Sequence, residues 1–149
     1  MEVAKSSEPS APQGRSKLPA SRSVWDYAKS TASCVANSTT LCLSGGRFSV
    51  QANWRIPSQG TSGQGTAVSL TGDTGYFWFF SPTNIEMIVK VLDGCGINTH
   101  KWVFAGGLTN VEVTLTVTDM QTGVVKTYVN PPNTAFLPIQ DTSAFGTCP

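Results

Sequence analysis

From residue 47 onward, apolar and polar positions alternate with period two in short runs, the pattern of strands with one buried face. In 47–54 (RFSVQANW), Phe48, Val50, Ala52 and Trp54 fall on one side, and Arg47, Ser49, Gln51 and Asn53 on the other. In 110–118 (NVEVTLTVT), Val111, Val113, Leu115 and Val117 point inward, while Glu112, Thr114, Thr116 and Thr118 point outward. Residues 124–129 (VVKTYV) supply a partner strand. The link 119–123 ends in Gly123, which suits a turn position with positive φ, so 110–129 reads as a hairpin. The same reading predicts strands at 39–43, 66–71, 75–80, 85–92 and 101–105, and no amphipathic helix after residue 33. The Gly-rich stretches 57–65 and 93–99 read as loops, without the spacing of a phosphate loop. Eight or so short strands separated by turn residues predict an all-β fold. The expected architecture is an antiparallel β-sandwich, with a small β-barrel as the alternative.

The alternation does not reach the N-terminus. Residues 1–23 are rich in Ser, Pro, Lys and Ala and hold hardly any large apolar residue, so they cannot offset their ordering entropy by burial. Residues 24–31 carry Trp25 and Tyr27 and could dock as a helical turn or a strand. The expectation is a disordered leader or linker over 1–30 and one sandwich domain over 31–149. A chain of 149 residues is long enough for one domain with a core and short for two.

Composition sharpens the class. Charged residues make up 13% of the chain, about half the share in an average soluble domain, which suits an extracellular β-domain. The net charge of +1 argues against nucleic acid as a partner, because phosphate binding needs a basic patch. Five basic residues (Lys5, Arg15, Lys17, Arg22, Lys29) lie in the first 30 positions, leaving the remainder close to neutral. No run approaches the ~20 apolar residues of a membrane span. No apolar segment of a signal peptide follows Met1, so a secreted chain would carry its signal outside this sequence.

Four cysteines, Cys34, Cys42, Cys95 and Cys148, form no CxxC pair, and a single histidine gives a zinc site little support. An even count in a Thr- and Gly-rich β-domain points instead to two disulfides and a secreted or cell-surface location. Of three pairings, a local Cys34–Cys42 bridge across a turn at Asn37-Ser38 is the expected one, which leaves Cys95–Cys148 to tie down the C-terminus. Asn37-Ser38-Thr39 is also a formal glycosylation sequon.

The segments TTLCLSGGRFSVQANWR (39–55), GQGTAVSLTGDTGYFWFFSPTNIEMIVKVLDGC (63–95) and WVFAGGLTNVEVTLTVTDMQTGVVKTYVNP (102–131) carry a resemblance. Together they are similar to an uncharacterised β-rich module that recurs in predicted secreted proteins of environmental bacteria, often at the C-terminal end of long multidomain chains. The resemblance implies an extracellular location and an accessory, modular role, and carries over no catalytic residues. This chain departs from it by standing nearly alone behind a basic Ser/Pro leader.

The residues offer little catalytic chemistry. His100 is the sole histidine, and no GxSxG elbow exists for it to serve. A carboxylate-dependent hydrolase would draw on Asp73, Glu86 or Asp93, yet Asp beside Gly or a turn ordinarily caps backbone amides, and Glu on a strand's polar face is ordinarily solvated. Asp73, Asp93 and Asp119, helped by Asn98 and loop carbonyls, are the candidates for a structural calcium ion, and no other cofactor is expected. The row Thr114/Thr116/Thr118 is ordinary strand composition.

The most unusual stretch is Gly75-Tyr76-Phe77-Trp78-Phe79-Phe80. In a strand, Tyr76, Trp78 and Phe80 share one face and Phe77 and Phe79 the other. One face enters the core; the second is either covered by another layer or forms an exposed aromatic platform. The leading expectation is therefore a non-catalytic extracellular interaction module, with Tyr76, Trp78 and Phe80 as its contact surface and a polysaccharide or a protein surface as its partner. The alternatives are a small secreted hydrolase and a structural subunit whose leader pairs with a neighbour's sheet edge.

Overall fold

The computed structural model describes residues 33–149. The leader over 1–30 and the element around Trp25 and Tyr27 lie outside the described residues.

Among the described residues ten strands appear in the order β1 (Leu41–Leu43), β2 (Phe48–Ile56), β3 (Thr61–Gln64), β4 (Thr66–Ser69), β5 (Thr74–Trp78), β6 (Ile85–Gly94), β7 (His100–Gly107), β8 (Glu112–Asp119), β9 (Val125–Asn130) and β10 (Ile139–Phe145). A single helical turn, α1 (Cys95–Asn98), joins β6 to β7. The strands form two antiparallel sheets, which makes the fold a sandwich and not a closed barrel. Sheet I runs β9-β8-β2-β1, and β3 pairs with the far half of β2. Sheet II runs β10-β7-β6-β5-β4.

The alternation in β2 and β8 explains sheet I. Val50 lies opposite Val117 and Ala52 opposite Leu115, so one face of the pair is wholly aliphatic. Phe48, Val50, Val113, Leu115 and Val117 are each at most 1% exposed. They pack against Phe77, Met87, Val89, Val91 and Val103 of sheet II. Phe48 and Phe145 close one end of the core, with ring centroids 5.2 Å apart. The β8–β9 hairpin forms as expected. Gly123 has φ +80°, and its N–H donates to the Asp119 carbonyl at 2.7 Å.

Two strands escape the sequence pattern. β3 (TSGQ) has no apolar alternation; backbone pairing with β2 holds it, and the Trp54 indole packs on its Gly63. β10 has its alternation broken by a register shift between Asp141 and Phe145, so Ala144 and Phe145 are both buried in succession.

Both disulfides close as expected. The Cα–Cα distances are 5.7 Å for Cys34–Cys42 and 5.8 Å for Cys95–Cys148, within the ordinary range. The second spans 53 residues, and loop-closure entropy assigns it about 4 kcal/mol. Two such bridges fit an oxidising compartment. Among the described residues no helix is long and apolar enough to cross a membrane.

Candidate binding face

Sheet II has a second apolar face, turned away from the core. Met87, Val89 and Val91 of β6 point inward, so Ile88, Lys90 and Leu92 point outward. On β7 the inward residues are Val103 and Ala105, which leaves Trp102, Phe104 and Gly106 outside. On β5 Phe77 is fully buried, and Tyr76 and Trp78 are half-buried on the outer side. Strand register orders these side chains into rows. One row reads Val68, Tyr76, Ile88, Gly106, and the next Thr74, Lys90, Phe104, Gln140; Leu92 then pairs with Trp102.

Trp102 is held from two sides. A Cβ at Gly94, the diagonal neighbour on β6, would collide with the indole, so the missing side chain lets the ring settle there. Its Nε1 donates to Asn98 Oδ1 at 2.8 Å, and Asn98 Nδ2 in turn donates to the Thr142 carbonyl at 2.8 Å. The Trp102 and Phe104 rings are within 5° of parallel, with centroids 6.1 Å apart. Lys90 Nζ lies 5.6 Å from the Phe104 centroid, within cation–π range.

Gly106 opens a groove beside this pair. It is about 440 Å³, lined by Ile88, Lys90, Phe104, Gly106, Pro138 and Gln140 among others. A Cβ at Gly106 would meet nothing closer than 3.9 Å. An adjoining hollow of about 460 Å³ continues past Ile88 and Gly106 to Ile85, Leu108 and Phe136.

Phe80 does not join the face. The β5–β6 register shifts between Phe77 and Trp78, β5 ends at Trp78, and the chain turns. Phe80 is carried to the end of the sandwich, where its ring meets Trp54 of sheet I edge-on at 4.8 Å. Phe79 enters the core as expected.

The candidate carboxylates are spread along the fold. Asp73 accepts from the hydroxyls of Thr71 and Thr74 in the β4–β5 turn, and chiefly these bonds lower its pKa. Asp93 accepts from the Cys95 amide at 2.9 Å, which lowers its pKa, and lies 3.4 Å from Lys101 Nζ. Burial pushes Glu86 up; it is 4% exposed and takes a hydrogen bond from Asn84. Glu86 and Asp93 are seven residues apart on one strand, roughly 23 Å at the rise of a strand. The Asp73 carbonyl accepts from the Val91 amide, five residues beyond Glu86, so Asp73 is remote from Glu86 as well. A glycosidase needs its raised and its ionised carboxyl within about 10 Å.

Asp119 is structural. Burial raises its pKa, but bonds from Arg47, Thr147 and the Gln121 amide outweigh this and hold it low. Arg47 Nε and Nη2 reach its two oxygens at 3.1 and 2.9 Å, and Thr147 Oγ1 lies at 2.6 Å. The Asp119 carboxylate is thus filled by protein donors and does not converge with Asp73 and Asp93. Among the described residues no three His, Cys, Asp or Glu side chains come together to hold a metal ion. His100 opens β7, with Nδ1 at 2.8 Å from the Asn98 carbonyl.

Sequence reasoning singled out Tyr76 and Trp78 and missed Trp102, Phe104, Lys90 and Gly106. The signal was present: in 101–106 both parities are apolar, so two aromatics had to lie on the side away from Val103. The chain matches no family model, no curated protein and no solved structure.

Proposed function

We propose that the chain is a non-catalytic extracellular interaction module that holds carbohydrate on the outer face of sheet II. The observation that carries this is the anchored Trp102–Phe104 pair beside an open groove. A sugar presents polarised C–H groups on its ring face and hydroxyls on its rim. The negative face of an aromatic ring meets the former, and the Gln140 amide at the groove's rim suits the latter. Rings fixed by Gly94 and Asn98 lose little side-chain entropy on contact, which favours affinity.

The test is retention on insoluble and soluble polysaccharides, with sugar release followed in the supernatant. Wild type is expected to be retained without releasing sugar, and Trp102→Ala to be lost. Retention undiminished in Trp102→Ala would refute the face, and sugar release would refute a non-catalytic role.

A second reading, a structural subunit, draws support from β9. This edge strand exposes Val125 (51%) and Val129 (60%), a surface suited to pairing with another strand.

A further inference from the structure

Five Lys and Arg side chains lie among the described residues, and four have a carboxylate within reach. Arg47 pairs with Asp119 at 2.9 Å, Arg55 with Glu112 at 3.1 Å, Lys101 with Asp93 at 3.4 Å, and Lys126 with Asp141 at 3.9 Å. Lys90 is the exception: among the described residues no carboxylate lies within ion-pair distance of it. Asp73 feels its charge only as the weakest of the influences on that carboxyl. Among the described residues Lys90 is also the single Lys or Arg on the outer face of sheet II, where Phe104 and Ile88 flank it and Gly106 opens the groove.

This placement is specific. A lysine on a strand's solvent side ordinarily extends into water, but the Lys90 ammonium lies over a ring that itself lines the groove. An anion entering the groove would meet a positive charge at a mostly apolar wall, where the local dielectric is lower than in bulk water and the attraction correspondingly stronger. One point charge suits one carboxylate. Densely sulfated chains carry several charges per repeat and would need a cluster of cations.

We propose that the carbohydrate bound here is acidic: a uronic-acid-containing polysaccharide. One sugar ring lies against Phe104 in the Gly106 groove, and its carboxylate faces Lys90. This rests on the binding reading above and adds the ligand's charge and the residue that selects it. Gln140, opposite Phe104 on β10, supplies an amide at the groove's rim for the ring hydroxyls.

The test uses the full chain and two acidic polymers, polygalacturonate and alginate. Each is compared with its neutral ester, and a neutral β-glucan serves as a further control. Affinity electrophoresis or calorimetry at low and moderate salt reads the preference. Wild type is expected to bind at least one acid polymer about tenfold or more tightly than its ester, since a charge-assisted contact is lost on esterification. Lys90→Gln is expected to abolish that preference and Lys90→Arg to keep it. Trp102→Ala is expected to weaken acid and ester alike. Equal binding of acid and ester by wild type, or of glucan and acid, overturns the acidic ligand while leaving the aromatic face standing. A preference that survives in Lys90→Gln overturns Lys90 as the selecting group. Absence of binding to every polymer overturns both readings.

Discussion

The two solvent faces of the sandwich differ in kind. The outer face of sheet I carries the polar side chains Gln51, Asn53, Thr114, Thr116 and Thr118, with Val125 and Val129 of the edge strand β9 beside them and no aromatic ring. The outer face of sheet II carries Tyr76, Trp78, Ile88, Leu92, Trp102 and Phe104, with Lys90 among them. Both sheets already supply a complete inner layer to the core. The outer layer, half-buried apart from the exposed Ile88, is therefore additional to that core. Large exposed apolar patches on soluble domains mark binding sites. Under the proposed function sheet I is the structural layer and sheet II the recognition layer, and each half of that reading can be broken separately.

The largest effect is expected on the structural side. Asp119→Asn removes one partner of a buried ion pair and leaves the Arg47 charge uncompensated. It should cost about 3 kcal/mol in denaturant unfolding, with binding unchanged in the folded fraction. The pH dependence has a definite sign. Asp119 is held below its unfolded pKa, so its contribution is present above about pH 4 and disappears as pH falls through the folded value. An unchanged acid midpoint in Asp119→Asn would refute this role.

The second effect contrasts the faces directly. Trp102→Ala should weaken polysaccharide binding about tenfold or more, and Thr116→Ala on the opposite face should leave it alone. Equal losses in the two variants would erase the distinction. A smaller, more selective change is Gly106→Val. The position has room for a Cβ, so the fold should persist while the groove fills and affinity falls several-fold. Undiminished binding would place the ligand elsewhere on the face.

The smallest effect concerns Glu86, whose sign is opposite to that of Asp119. Burial raises its pKa, so its ionisation opposes folding at neutral pH, and the penalty is relieved as pH falls through the folded value. Glu86→Gln should raise stability at pH 7 slightly and remove that part of the pH dependence. A loss of stability in thermal melts at pH 7 would show that its hydrogen bond with Asn84 outweighs the burial penalty.

Much of the scaffold was legible along the chain. Clean alternation in 47–54 and 110–118 marked the two central strands of sheet I, because a strand with one wet and one dry face must alternate. β3 and β10 were not legible. Backbone pairing and the contact of Gly63 with Trp54 hold the first, neither of which shows as alternation, and a register shift disrupts the period of the second. The candidate binding face was half legible. Tyr76 and Trp78 stood out because aromatics crowd both parities of one run, whereas around Trp102 and Phe104 the second apolar parity is the small aliphatic pair Val103 and Ala105, a weaker form of the same signal. Phe80 was misplaced on that face because alternation assumes a straight strand, and β5 ends two residues earlier.

The sequence by itself determined the class and which side of the regular strands is buried, and made the local Cys34–Cys42 bridge the expected one, since these follow from local periodicity and short-range geometry. Only the tertiary structure decided which apolar residues meet. Sheet order brings β5, β6 and β7 side by side, and register sets Lys90 opposite Phe104 and Ile88 opposite Gly106. Pairings between strands far apart in sequence depend on how the whole chain closes around its core, and no single strand carries that information.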